Sequence, residues 1–65
     1  IKITRREKEI LECIAKGMSS KDMAEVLFLS QRTVESHRLR LLKKFKAKNA
    51  TELLRTAIDK DLIHL

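Results

Sequence analysis

The sequence has no proline, tryptophan or tyrosine, and only one glycine, one cysteine and two phenylalanines. A chain with so few residues that break helices is expected to be all-α. The lone cysteine, Cys13, excludes an internal disulfide and is predicted to be a small packing residue on the first helix. No apolar run approaches the roughly 20 residues of a membrane span, so no membrane-spanning helix is expected, and a membrane is not among the expected partners.

Positive charge is what the sequence has in excess, and one segment accounts for all of it. The formal net charge is +6, from 15 Lys and Arg against 9 Asp and Glu. Between Ser30 and Lys48, seven basic residues oppose one acid, Glu35, and seven minus one is +6. The basic and acidic residues outside this segment balance one for one. Such clustering is the electrostatic footprint of a phosphate-rich partner.

The same segment is predicted to be a helix over about 31–46 with two different faces. Ser30 is a good N-cap, and no glycine or proline follows it in the segment. At helical spacing the inner side consists of Val34, His37, Arg38, Leu41 and Phe45. The outer side consists of Arg32, Glu35, Ser36, Leu39, Arg40 and Lys43. A solvated surface is the ordinary explanation of polar residues on a helix, but the one-sided charge and the unexplained Leu39 favour a binding face.

Capping signals predict two helices before this segment. Thr4 and Glu7 have capping-box spacing and open a first helix that runs to about Lys16, where Gly17 ends it. A short second helix opens at Ser19 and Ser20 and ends near Val26 or Leu27. Because Ser30 caps the next helix only a few residues later, the pair is predicted to form a helix-turn-helix.

A last helix is predicted over about 50–60. Asn49 can cap it, and Glu52 stands at the capping-box position. Its Leu54 and Ile58 lie on a second apolar stripe, which is either scattered exposed apolar surface or a face for self-association. The tail from Asp61 to Leu65 either docks on the domain or stays loose.

Several short motifs follow one another along the chain: Ile3-Thr4-x-Arg6-Glu7, Gly17-x-Ser19 with Ala24, Ser30-x-x-Thr33-Val34-x-x-His37, Leu42-x-Lys44-Phe45 and Asn49-x-Thr51-Glu52-Leu53. Their order and spacing resemble the LuxR/FixJ (GerE-type) DNA-binding domain found at the C-terminus of NarL-like response regulators. The resemblance implies one four-helix domain over residues 1–65, acting as the C-terminal effector part of a longer bacterial transcription regulator. It implies a cytoplasmic, nucleoid-associated protein.

The resemblance also implies a role for individual residues, with the third helix as a recognition helix in the major groove and the last helix as the dimerisation helix. Base-reading positions are Arg32, Glu35, Ser36, Leu39 and Arg40. Phosphate-contacting positions are Ser20, Lys21, Thr33, Lys43, Lys44 and Lys48. Dimer-interface positions are Thr51, Leu54 and Ile58. The family histidine corresponds to His37, which would pack against the domain.

Double-stranded DNA, a second copy of the chain and RNA polymerase are the expected partners. Catalysis is not expected, because the sequence has no nucleophile–base constellation and no glycine-rich phosphate loop. No cofactor or metal is expected either, since His37, His64 and Cys13 lack ligand spacing.

Three other functions remain open at this point. A helical protein-interaction module would leave the basic face idle. A sigma-factor-like domain that reads promoters shares the Thr4-x-Arg6-Glu7 opening. A basic amphipathic helix on an anionic membrane is disfavoured, because the core of so small a chain needs the apolar side of the helix. The chain departs from the family at four positions: Glu35 replaces a frequent basic residue, Leu39 a frequent polar one, Lys46 a common glycine and Ala50 a frequent arginine.

Overall fold

The computed structural model describes residues 2–64, and these residues form four α-helices and no strand. The helices are α1 Arg5–Ala15, α2 Ser20–Leu27, α3 Gln31–Phe45 and α4 Ala50–Asp59. The predicted all-α, four-helix architecture is confirmed, and each helix ends within one residue of its predicted limit. Predictions about Ile1 and Leu65 lie outside the described residues.

The capping box at the start of α1 forms in both directions. The Thr4 hydroxyl accepts a hydrogen bond from the Glu7 amide at 3.1 Å, and the Glu7 carboxylate accepts one from the Thr4 amide at 2.9 Å. At the other end of α1, Gly17 takes a φ of +79°, a left-handed conformation that glycine adopts without strain. Both predicted ends of the first helix are therefore confirmed.

The turns that follow α2 and α3 use left-handed residues that are not glycine. Phe28, at the end of α2, has φ 57° and ψ 44°, and Lys46, at the end of α3, has φ 53° and ψ 39°. A non-glycine residue in this region costs about 1 kcal/mol or more, so the surrounding structure must hold it there. The bond from the Leu29 amide to the Ala24 carbonyl, 3.0 Å long, closes the turn at Phe28. Because Lys46 is left-handed, α3 ends at Phe45 rather than at the predicted 46.

The start of α4 differs in one detail from the predicted capping box. The Asn49 side chain accepts a hydrogen bond from the Glu52 amide at 2.9 Å, as predicted. The Glu52 carboxylate, however, accepts from the Lys48 amide at 2.9 Å and not from the Asn49 amide. Asn49 is fully extended, with φ −155° and ψ 177°, and the reciprocal bond is made one residue earlier in the chain.

The tail after α4 docks on the domain. Leu62 donates its amide to the Ala57 carbonyl at 2.9 Å, and Asp61 takes a φ of 60° at this reversal. The next residue, Ile63, is only 4% exposed and belongs to the hydrophobic core. Of the two alternatives for the tail, docking is therefore the correct one.

The core lies beneath α3, which packs against each of the other three helices. Buried apolar side chains come from every helix and the tail: Ile10, Leu11, Cys13, Ile14, Met23, Val34, Leu41, Phe45, Leu53, Ala57 and Ile63. The predicted packing role of Cys13 is confirmed, and burial raises the pKa of its thiol. Within residues 2–64, the helices are too short or too polar to cross a bilayer.

Candidate nucleic-acid interface

The outer face of α3 consists of Arg32, Glu35, Ser36, Leu39, Arg40 and Lys43, and all six residues are exposed. Opposite them, Val34 and Leu41 are fully buried and Phe45 nearly so. The two-faced helix predicted from periodicity is therefore present. Leu39 is 58% exposed and packs against no other part of the core, so packing does not explain an apolar residue at this position.

The first turn of α3 presents a hydroxyl that is ready to donate a hydrogen bond. Ser30 accepts a hydrogen bond from the Thr33 amide at 3.0 Å and donates its own hydroxyl hydrogen to the Thr33 oxygen at 2.8 Å. With Ser30 as the donor of this pair, the exposed Thr33 hydroxyl can donate to an acceptor outside the domain. A phosphate oxygen is such an acceptor.

At the start of α2, the two predicted phosphate positions behave differently. Lys21 is exposed, whereas Ser20 is only 8% exposed. The Ser20 hydroxyl accepts a hydrogen bond from the Arg38 guanidinium of α3, at 3.3 Å. The N-cap of α2 is Ser19, whose side chain accepts from the Asp22 amide at 3.1 Å. The Ser20 side chain therefore faces the domain and already has a partner there.

The structure also gives Lys44 a partner inside the domain, which the sequence did not reveal. Its ammonium lies 2.7 Å from a carboxylate oxygen of Glu7 and 3.3 Å from the backbone carbonyl of Lys2. Glu7 is only 3% exposed. Burial alone raises the pKa of this carboxyl, but hydrogen bonds from Lys44 and Thr4, together with the Lys44 charge, outweigh burial and hold the pKa below its ordinary value.

The remaining predicted cations, Lys43 and Lys48, are exposed at the C-terminal end of α3 and beyond it. Within residues 2–64, ion pairs join Arg6 to Glu9 and Lys44 to Glu7, and the His64 ring lies 3.6 Å from the Asp61 carboxylate. None of these pairs uses Glu35 or a cation of the outer face. The outer face therefore carries charge that the described part of the domain does not neutralise.

His37, on the flank of α3, is half-buried. Its Nδ1 atom is buried and has no hydrogen-bond partner within residues 2–64. In the described part of the chain there is no group of three or more residues able to hold a metal ion.

The three predicted dimer positions lie together on α4. Thr51, Leu54 and Ile58, with Arg55 and Asp59, line a shallow groove of about 310 Å³. Ile58 is 40% exposed. Leu54 and Ile58 are the apolar side chains of its lining, and Leu54 also packs against the core.

Comparison with known proteins identifies the fold. Residues 2–57 match the luxR family of bacterial regulatory proteins, also called GerE. The chain belongs to this family. It is a helix-turn-helix domain that binds DNA in transcription regulation, as the resemblance of its motifs implied.

Relatives and solved structures agree with this assignment. The chain is 46% identical over 56 residues to an uncharacterized response regulatory protein, YgeK, of Escherichia coli, covering 86% of this chain and 38% of that protein. It is 44% identical over 61 residues to the oxygen regulatory protein NreC of Staphylococcus epidermidis, covering 94% of this chain and 28% of that protein. The chain thus spans well under half the length of these relatives.

Two crystal structures contain a closely similar domain. The response regulator ChrA of a heme-sensing two-component system superposes with a TM-score of 0.91 at 32% identity, over 97% of this chain and 31% of ChrA. Vibrio cholera VqmA, in a complex with ligand and DNA, superposes with a TM-score of 0.88 at 32% identity, over 95% of this chain and 27% of VqmA.

Proposed function

We propose that this chain is the sequence-reading domain of a longer bacterial transcription regulator and that it places α3 in the major groove of double-stranded DNA. The observation that carries the proposal is the contrast between the two sides of α3: one is buried in the core, and the other is exposed, basic and without a partner inside the described domain. An α-helix fits the major groove, where each base pair presents a distinct pattern of donors and acceptors. VqmA, crystallised with DNA, has a domain of the same fold.

Base reading is assigned to the outer face, with Arg32 and Ser36 near its start. The Arg40 guanidinium can donate two hydrogen bonds to guanine O6 and N7, and the Glu35 carboxylate can accept one from a cytosine amine. Leu39 suits a thymine methyl group, because that contact is apolar. Glu35 adds discrimination between base sequences. Phosphates repel its carboxylate, and only a base that donates a hydrogen bond to it offsets this repulsion.

Phosphate contacts surround this face. Four exposed residues are able to donate to phosphate oxygens. They are Lys21 at the start of α2, Thr33 in the first turn of α3, Lys43 near the C-terminal end of α3, and Lys48 beyond it. These contacts fix the helix in register without reading sequence. Non-specific binding with a Kd of roughly 10⁻⁴–10⁻⁶ M is expected at physiological salt.

A homodimer through α4 is the proposed functional unit, with one domain on each half-site. The groove lined by Thr51, Leu54 and Ile58 offers each copy an apolar surface. Because paired half-sites turn the second binding event into an intramolecular one, a weak dimer suffices on DNA.

Replacing Ile58 with Glu should abolish cooperative binding to paired half-sites and leave binding to one half-site unchanged. Equal loss on single and paired sites in a mobility-shift titration would refute this interface.

The regulator as a whole is proposed to act by binding in the bacterial cytoplasm, at the nucleoid, and not by catalysis. RNA polymerase is proposed as its further protein partner. Because the family relatives include response regulators, we propose that the longer regulator also has a receiver domain.

Selection of bound duplexes from a random pool tests the DNA-reading proposal. One enriched sequence motif is expected, and a pool that stays random after several rounds would contradict sequence reading.

Within the selected motif, Leu39→Arg should strengthen binding to random DNA and lower the ratio of specific to random affinity about tenfold, as one lost base contact does. An unchanged ratio in competition binding would remove Leu39 from the reading face.

A further inference from the structure

Two basic side chains of α3 are turned toward the domain, and each binds one of its buried polar side chains. Among residues 2–64, the buried polar side chains are those of Glu7 on α1 and Ser20 on α2. Lys44 contacts the first at 2.7 Å, and Arg38 contacts the second at 3.3 Å. Glu7 and Ser20 therefore each have a cation of α3 as a partner.

These two contacts hold α3 at two separate points along its axis. Arg38 and Lys44 are six residues apart, so their Cα atoms lie about 9 Å apart along the helix axis. One contact ties α3 to the first turn of α2, and the other ties it to the capping box of α1. A helix held at two points to two different helices is restrained both in rotation about its axis and in sliding along it.

We propose that Arg38 and Lys44 are positioning residues for DNA reading and do not bind phosphate themselves. They fix the rotation and height of α3 so that its outer face meets the base edges. This inference rests on the proposed function and departs from the family resemblance, which assigns Lys44 to phosphate. A base contact is sensitive to such positioning, since hydrogen bonds weaken steeply when their angle departs from linear.

The geometry around Lys44 supports this role over phosphate binding. Its partner Glu7 is 4% exposed in its side chain and also accepts from the Thr4 amide, so moving Lys44 to a phosphate would leave a buried carboxylate without its cation. The Lys44 ammonium also donates to the Lys2 carbonyl, at 3.3 Å. Lys43, the preceding residue, is exposed and has no ion pair within residues 2–64, which makes it a matched control.

The test measures two quantities for each variant of the 65-residue chain: the slope of log affinity against log salt on a random-sequence duplex, and the ratio of affinities for the selected duplex and the random one. Lys43→Met should reduce the slope by about one unit, because a phosphate contact is lost. Lys44→Met and Arg38→Met should leave the slope unchanged and lower the affinity ratio about tenfold, the size of one lost base contact. A slope reduced by one unit in Lys44→Met, or an unchanged affinity ratio, would overturn the role of Lys44; the same outcomes in Arg38→Met would overturn that of Arg38.

A double-mutant cycle covers the case in which Lys44→Met alone does not fold. Glu7→Gln keeps a side chain that can still cap α1, and it removes the buried charge. If Lys44 acts through Glu7, then adding Lys44→Met to Glu7→Gln should change neither the slope nor the affinity ratio further. A further loss of one slope unit in the double variant would show that Lys44 contacts phosphate. Failure of the wild-type chain to prefer the selected duplex would instead reject DNA reading itself.

Discussion

The helices α1 and α3 are both rich in charge, yet they use it in opposite ways. Of its 11 residues, α1 has three basic and three acidic, and Arg6 pairs with Glu9 one turn along, at 3.6 Å. Of its 15 residues, α3 has five basic and one acidic. The basic and acidic residues of α1 are equal in number, although its Glu7 pairs with Lys44 of α3, whereas in α3 five minus one leaves four basic residues in excess. The difference teaches that arrangement of charge, more than its amount, separates a solvated helix from a binding one.

The clearest way to break this comparison is to reverse two charges on each helix. Arg32→Glu with Arg40→Glu should weaken binding to the selected duplex by about 100-fold or more, because each arginine–guanine contact contributes about 1–3 kcal/mol. Arg5→Glu with Lys8→Glu changes the net charge of the chain equally and serves as the matched control. It should weaken binding by no more than about threefold, through screened long-range charge. Similar losses in both, measured by fluorescence anisotropy, would mean that only net charge matters.

A smaller effect on DNA binding is expected from a substitution at the C-terminal end of the basic segment Ser30–Lys48. Lys48→Ala should weaken binding to all duplexes alike and reduce the salt slope by about one unit, because its contact is with phosphate. Lys60→Ala, which removes an exposed lysine just after α4, should leave the slope unchanged. A loss confined to the selected duplex would contradict the assignment of Lys48 to the backbone.

The smallest effect is expected from the ion pair between Glu7 of α1 and Lys44 of α3. This effect is on the free energy of unfolding. The pKa of Glu7 is below its ordinary value of 4.5, so its ionised form stabilises the fold above that pH and the contribution is lost as the pH falls through the lower folded pKa. Because the Lys44 side chain is 38% exposed, Glu7→Gln should cost only about 1–2 kcal/mol at pH 7, less than for a fully buried pair. Urea unfolding should show the gap to wild type narrowing below about pH 4.5, the ordinary pKa. Glu12→Gln, on the exposed side of α1, is the control, and a gap independent of pH would contradict the pairing.

The structural features that the sequence could predict depend on residues close together in the chain. The caps at Thr4, Ser30 and Asn49 depend on residues three positions apart, and the two faces of α3 follow from its periodicity. The match of motifs to the luxR family assigns the proposed site residues to positions on that framework. The groove on α4 likewise brings together residues of one helix.

What the sequence could not predict depends on distant residues or on backbone conformation. Lys44 and Glu7 are 37 positions apart, and Arg38 and Ser20 are 18 apart, so neither contact has a local signal. Nothing in the chemistry of Lys46 favours a left-handed φ, and the backbone bond from the Ala47 amide to the Leu42 carbonyl, 2.9 Å long, closes the turn there. The bond from the Lys48 amide to Glu52 differs from a capping box by a single residue, which spacing alone does not resolve.

Chemical-shift mapping tests the central statement most directly. The backbone amides of the 15N-labelled chain are followed while a double-stranded oligonucleotide is added at low ionic strength. The account predicts that the largest shifts occur in the first turns and outer face of α3, around Arg32, Glu35 and Leu39, and at the start of α2, with small shifts in α1. Resonances of α3 that stay in place while DNA is added would contradict it.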